Sequence, residues 1–298
     1  MGNKIIMKKQ NSKLAFSLIE LSVVILIIGI LVIGITKGSR IIRASKLKTA
    51  QSLTNSSPVA STDGLMLWYE TTLDKSFIAS EVVDTPIASN GTISTWNDIN
   101  PQNTVSNNAS QSGASSIKPR YRASAINGLP ALNFDGVDDY LSYDGTKLAN
   151  TNYTIFVVEQ RRSANQMYYI GGLNQAANQM LEFGYTGSTL AYWDQYLAYP
   201  QYTIPAYSSP IPRVHSFVHR GGLQKDYYIN GGLLGSPNGA YAANLTSYNG
   251  AVIGTFAIGQ AGWYYVGDIG EIIMFTRALN SSERVSIENY LKTKWGIK

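Results

Sequence analysis

Residues 127–141, NGLPALNFDGVDDYL, carry the reading of the fold. Within them Asp135-Gly136 makes a tight polar turn between Phe134 and Tyr140, the chemistry of a chain that reverses often. The rest of the body agrees. Residues 153–160 (YTIFVVEQ) form a short apolar run suited to a buried strand, 226–229 followed by Asn230-Gly231-Gly232 read as strand and hairpin turn, and 251–258 and 271–275 are further strands. With 27 glycines and 20 tyrosines in 298 residues, turns recur too often for helices. The exception closes the chain, where Asn280 or Ser281 caps a short helix and Glu283 stands at the box position. Ile287, Tyr290, Leu291 and Trp295 share one face of that helix, and Gly296 stops it.

The chain has no cysteine, 44% hydrophobic residues and 14% charged residues, which excludes collagen-like, low-complexity and disulfide-scaffold proteins. Charge is unevenly placed. Residues 1–50 carry nine Lys/Arg against one acid, Glu20, a net +8, whereas 51–298 carry fifteen against eighteen acids, a net −3. A basic terminus beside an apolar run reads as membrane topology, and the acidic body lacks the basic stripe that nucleic acid requires.

Lys4, Lys8, Lys9 and Lys13 precede residues 16–35, twenty positions with a single charge. As a helix this run is roughly 30 Å long, the thickness of a bilayer core. It is followed by Thr36, Lys37, Gly38, Ser39 and Arg40 rather than by a small-residue cleavage site, so it is expected to span the membrane uncut at that end. The helix is expected to run on, with Ile35, Ile42 and Thr49 as a narrow heptad stripe. TNSSPVAST, at 54–62, has the composition of a linker.

The order Lys13-Leu14-Ala15-Phe16-Ser17-Leu18-Ile19-Glu20-Leu21-Ser22-Val23-Val24 resembles the class III leader junction of type IV pilins and type II secretion pseudopilins. The resemblance implies that a prepilin peptidase cuts between Ala15 and Phe16, that Phe16 becomes the methylated mature terminus, and that Glu20 stands fifth. Ala15 departs from the usual glycine of that family. A carboxylate in a spanning helix costs up to about 2.5 to 3.5 kcal/mol, less near an end, so Glu20 needs a partner. The family logic supplies the cleaved amine of a neighbouring Phe16, which sets axial register between subunits of a homo- or hetero-filament.

The body resembles the concanavalin A-like lectin/glucanase superfamily, in particular laminin-G-like jelly rolls. The resemblance rests on 64–69 (GLMLWY) as the opening strand, 95–98 (TWND), the most distinctive block 127–141, the hairpin 214–232, 267–275 (GDIGEIIMF) and Arg277-Ala278-Leu279 before the capped helix. Glucanases of that superfamily set two acids two apart on one strand, and no two acids in 63–298 are so spaced. GxSxG, HExxH, P-loop and CxxC motifs are also absent, and no enzyme is expected.

Three groups of body residues are candidate sites. His215 and His219 lie on a strand, roughly 13 Å apart, too far to share one metal. Asp135, Asp138 and Asp139 could offer hard oxygen ligands to calcium, although an Asp-Gly turn uses the same residues for backbone reasons. Tyr192, Trp193, Asp194, Tyr196, Tyr199 and Tyr202 crowd a proline-broken stretch and suit either a glycan surface or core packing.

The expected organisation is a leader at 1–15, a transmembrane assembly helix at 16–53, a linker at 54–63 and an antiparallel jelly-roll β-sandwich at 64–298. The expected function is a pilin-like structural subunit, minor or tip, displaying a lectin-like head for adhesion. It would pass from the bacterial inner membrane into a periplasmic or extracellular filament, with surface glycans as partners. A type II secretion pseudopilin, and a membrane-anchored lectin or glycoside hydrolase that never polymerises, are the alternatives.

Overall fold

The computed structural model describes residues 18–78, 80–81, 91–196, 200–221, 224–236 and 243–298, without the side chains of 18, 20, 31–37 and 39. Ala15, Phe16, the side chain of Glu20 and Tyr199 lie outside the described residues. Two compact units result, Met1–Ser45 and Lys46–Lys298.

Helix α1 (Leu18–Asn55) begins in the first unit, where Ile19, Leu21, Ile25 and Leu26 are exposed. Among the described residues no helix is long and apolar enough to cross a membrane. The span expected over 16–35 takes in residues 16 and 17 and the undescribed side chains of 31–35.

In the second unit the described strands form two antiparallel sheets. The first runs in the order β14 (Gly232–Gly235), β13 (Lys225–Ile229), β12 (Arg213–His219), β7 (Tyr153–Arg161), β16 (Val266–Phe275), β5 (Leu129–Asp135) and β4 (Arg120–Ile126), with β1 (Leu65–Glu70) also paired to β16. The second runs β11 (Gln201–Thr203), β10 (Leu190–Asp194), β9 (Glu182–Tyr185), β8 (Met167–Gly172), β15 (Ala251–Ile253), β6 (Leu141–Tyr143), β3 (Ala109–Ser110) and β2 (Thr95–Trp96). The block 127–141 thus supplies the β4–β5 hairpin and leads into the second sheet. Its Asn127-Gly128 turn has φ of 50° and 87°, and Asn230-Gly231 between β13 and β14 has 53° and 87°. Both are the left-handed pairs that two-residue hairpins demand.

β7 and β16 read as nearly continuous apolar runs because the first sheet is covered on both faces. Ile155, Val157, Ile272 and Met274 point into the core shared with Phe183, Tyr169 and Tyr185 of the second sheet. Phe156, Val158, Ile273 and Phe275 point the other way, onto helix α2 (Ser281–Trp295). That helix has the expected capping box, Asn280 with Glu283, and Gly296 ends it at φ 62°. Ile287, Leu291 and Trp295 are fully buried, and Tyr290 nearly so. β16 bulges at Gly270, where a Cβ would come 2.5 Å from the Trp295 ring, so the missing side chain makes room for the indole.

Three segments differ from expectation. Residues 251–258 are strand only through Ile253, because Gly254 turns at φ 96° and a Cβ there would strike the Phe134 ring at 2.4 Å. In α1, of the heptad stripe, Ile42 is exposed at 61% and Thr49 is exposed, and the side chain of Ile35 lies outside the described residues. The last turns instead bury Ala50 and Thr54 and half-bury Leu47 and Gln51, and Gln51 Nε2 donates to the Thr72 carbonyl at 2.8 Å. Those positions follow i, i+3, i+4, i+7, a true helical face whose small residues let the helix approach closely. Finally, 54–63 packs against the body. It finishes the helix and forms a 3₁₀ turn at Pro58–Ser61, whose Val59 is fully buried.

Candidate functional site

The second sheet has one face in the core, and alternation along its strands sets what appears on the other. Trp193 and Phe183 point into the space between the sheets, so Tyr192 and Glu182, one residue away, turn to the other face of the sheet, where each is still 1% exposed. Tyr168, Gly184, Tyr192 and Gln201 stand side by side across β8, β9, β10 and β11. Gly184 leaves the gap that lets Tyr168 and Tyr192 meet edge to face across it, ring centroids 5.8 Å apart. No larger residue fits there, because a Cβ would lie 2.2 Å from the Met167 carbonyl oxygen.

These residues floor a cavity of about 390 Å³, which Gln166, Gln175, Thr186, Tyr196, Phe256 and Trp263 complete. Its volume is that of a small-molecule site. Phe256 and Trp263 meet at right angles with centroids 4.7 Å apart, and Tyr168 touches both. Gln175 and Gln201 are exposed and Tyr196 and Trp263 half-buried, so the cavity opens to solvent along this rim. Tyr196 adopts φ 57°, a left-handed conformation uncommon outside glycine and asparagine, held at the cavity wall.

Glu182 is the charged-type group of the lining. It is 1% exposed, and its Oε1 accepts no hydrogen bond from the described residues. Burial pushes its carboxyl up to about 8, with the neighbouring Asp194 adding to the rise and a Tyr192 hydrogen bond opposing it. Asp194 stands directly opposite on β10. The two acids meet from adjacent strands, an arrangement that spacing along one strand does not reveal.

Of the aromatic stretch singled out by the sequence, Tyr192 and Tyr196 line the cavity. Trp193 and Tyr202 do not: they are core residues, 0% and 7% exposed, packed edge-on to Tyr227 of the first sheet at 6.4 and 4.9 Å. Alternation sends them inward while their neighbours face out. Asp194 is fully buried beside Tyr192. Tyr168, Glu182, Phe256 and Trp263 escaped the sequence reading because they come from three separate segments. Their signal was the placement of Tyr168 and Glu182 one residue from core side chains.

His215 and His219 both sit on β12, fully buried. His215 Nε2 lies 2.8 Å from Glu159 Oε1 and its Nδ1 2.7 Å from the Tyr227 hydroxyl, while His219 Nε2 lies 2.9 Å from Asn244 Oδ1. Burial holds His215 below its ordinary value, so the neutral ring donates from Nε2 and accepts from Tyr227. Tyr185 and Tyr265 also donate to Glu159. The sequence missed Glu159, whose carboxylate is fully buried between the sheets and satisfied by these donors.

Asp135, Asp138 and Asp139 do converge, with carboxylate oxygens within 4.8 Å of one another. The turn uses them itself: Asp139 Oδ2 accepts from the Asp135 amide at 2.9 Å, and Asp135 Oδ1 accepts from the Val137 amide at 2.8 Å. These turn bonds account for Asp135 and Asp139, not for Asp138, and calcium takes six to eight oxygens, more than three side chains supply. Burial, followed by the charges of Asp135 and Asp138, raises Asp139 to about 7.

No protein-family model matches the chain, and no curated protein matches it. Among solved structures it is similar to Trypanosoma rangeli sialidase in complex with sialic acid, at 17% identity and TM-score 0.53, covering 84% of this chain and 38% of that one. The same sialidase with the inhibitor DANA aligns at 15% identity and TM-score 0.51, covering 78% and 33%. The binding domain of Paraclostridial Mosquitocidal Protein 1 aligns at 12% and 0.51, covering 76% of this chain and 52% of that one. The chain therefore spans between a third and about half of these proteins. At such identities the likeness is one of fold: a jelly-roll sandwich of two antiparallel sheets.

Proposed function

We propose that this chain is a pilin-like structural subunit, minor or tip, whose sandwich head binds carbohydrate. The observation that carries the head's role is the solvent-open cavity on the second sheet. Aromatic rings there can stack on the apolar faces of a pyranose, while Gln166, Gln175 and Gln201 offer amides to its hydroxyls. The solved structures named above include a sialidase holding sialic acid and the binding domain of a mosquitocidal protein, which accords with a binding role for this fold.

The assembly role draws on the leader junction at Ala15 and Phe16, on Glu20, and on the exposed apolar residues of α1, which a bilayer or neighbouring helices would cover. The apolar run 16–35 holds the precursor in the inner membrane, and processing frees the Phe16 amine to pair with Glu20 of a neighbour. The head does not catalyse: Glu182 acts as a fixed polar wall, with Asp194 buried opposite it.

Two measurements test the reading. Intact mass and N-terminal mapping of sheared surface filaments are expected to find a methylated chain beginning at Phe16, absent from the sheared fraction in a Glu20→Ala variant. An uncut chain confined to the membrane would leave the anchored lectin as the better account. Glycan-array binding by the purified protein is expected, and Trp263→Ala at the half-buried rim should abolish it. Hydrolysis of the bound sugar would replace the adhesin by an enzyme.

A further inference from the structure

We infer that the cavity takes an uncharged pyranose sugar and turns away sugars that carry a carboxylate. The inference rests on the proposed carbohydrate-binding role of the cavity and names its ligand class. Among the described residues no Lys, Arg or His lines the cavity. The segments of the second unit outside the described residues, 79, 82–90, 197–199, 222–223 and 237–242, contain none either, so they cannot bring one in. Two basic groups near the walls are committed elsewhere. Lys225 is buried with its ammonium 5.5 Å from the Trp193 ring centroid, on the core side of β10, where its charge acts on Asp194 rather than in the cavity lining. Arg161 donates to the carbonyls of Gly187 and Ser188 at 3.0 and 2.7 Å, under the Tyr185 ring.

What the cavity does present is Glu182, buried, with an unoccupied acceptor oxygen and with Asp194 facing it. A sugar hydroxyl can donate to that oxygen, satisfying an atom that the fold leaves bare. A carboxylate cannot, and recognition of a carboxylate ordinarily relies on the arginine fork that is missing here. The surroundings raise the acid of Glu182 itself to about 8, chiefly through burial. The burial that keeps Glu182 protonated at neutral pH also disfavours a negative charge brought there by a ligand.

The test uses the full-length protein and matched oligosaccharide pairs, lactose and N-acetyllactosamine against their sialylated forms, measured by calorimetry or on an array. The neutral member of each pair is expected to bind at least about tenfold more tightly. Gln201→Arg, on the exposed rim opposite Tyr192, is expected to narrow or reverse that ratio by supplying the missing cation. Equal or tighter binding of the sialylated member by the wild-type chain overturns the inference while leaving the carbohydrate role intact. An unchanged ratio in Gln201→Arg also overturns it, because selectivity would then have another cause. Failure of both members, and of every sugar on the array, overturns the carbohydrate role itself.

Discussion

At the scale of single residues, the cavity depends on what is absent at 184 and on the acid at 182. Gly184→Ala would put a methyl against the Met167 carbonyl oxygen, at 2.2 Å, where only backbone movement could relieve it. Chemical denaturation should report a loss of about 1–3 kcal/mol, together with weaker sugar binding as Tyr168 and Tyr192 are pushed apart. Glu182 gives a pH dependence. Its folded value, about 8, lies above the usual 4.5, so its contribution to stability is complete below 4.5 and is lost as pH rises through 8. Melting temperatures of Glu182→Gln should therefore gain on wild type between pH 5 and 8. Asp139, raised from 3.8 to about 7, keeps part of the slope in both proteins. Tyr192 and Tyr196 were visible in the sequence as aromatic residues in a polar stretch. Trp193 and Tyr202 looked the same and lie in the core, because composition does not say which face of a strand a residue occupies.

At the scale of elements, helix α2 is held by a buried charge cluster. Lys294 Nζ lies 2.9 Å from both Glu70 Oε2 and Glu271 Oε2, while Trp68, Tyr290 and Trp295 donate to Glu271 at 2.7, 2.7 and 2.9 Å. Burial alone would raise Glu70, but Lys294 and the hydroxyls of Ser76 and Thr72 hold it below its usual 4.5. The stability it contributes is present above pH 4.5 and is lost as acid titrates it. Lys294→Ala strands two buried carboxylates and should cost about 3–5 kcal/mol by denaturant unfolding. Asn280→Ala removes only the cap and should cost about 1 kcal/mol. The cap, the apolar face and the Gly296 stop of this helix were all legible, since they are local features of the chain. Glu70, Glu271 and Lys294 were not, because 201 residues separate the two acids and only sheet pairing, Glu70 opposite Glu271, brings them together.

At the scale of the whole molecule, the second compact unit begins at Lys46, within α1, rather than after the helix. Ala50 and Val59 are buried in the same cluster as Trp68 and Ile273, and the Tyr290 hydroxyl reaches Thr54 Oγ1 at 3.3 Å. A fragment 46–298 is expected to fold and keep sugar binding. A fragment 64–298 loses that cover and should melt at a temperature lower by several degrees, measured by scanning calorimetry. The polar, proline-containing composition of 54–63 suggested a loose tether because composition reports what a segment can do in water. It does not report a single valine inserted into a neighbouring core.

The strand-rich class, the Asn230-Gly231 hairpin, the closing helix and the apolar run beside a basic terminus were all legible in the sequence. Each follows from periodicity, turn chemistry or charge within a few residues. Strand pairing settled which aromatics line the cavity, where Glu182 met Asp194, and how Glu159 and His215 found one another between the sheets. Those outcomes depend on strand order and register across distant segments, and a shift of one residue in a strand would exchange the cavity wall for the core.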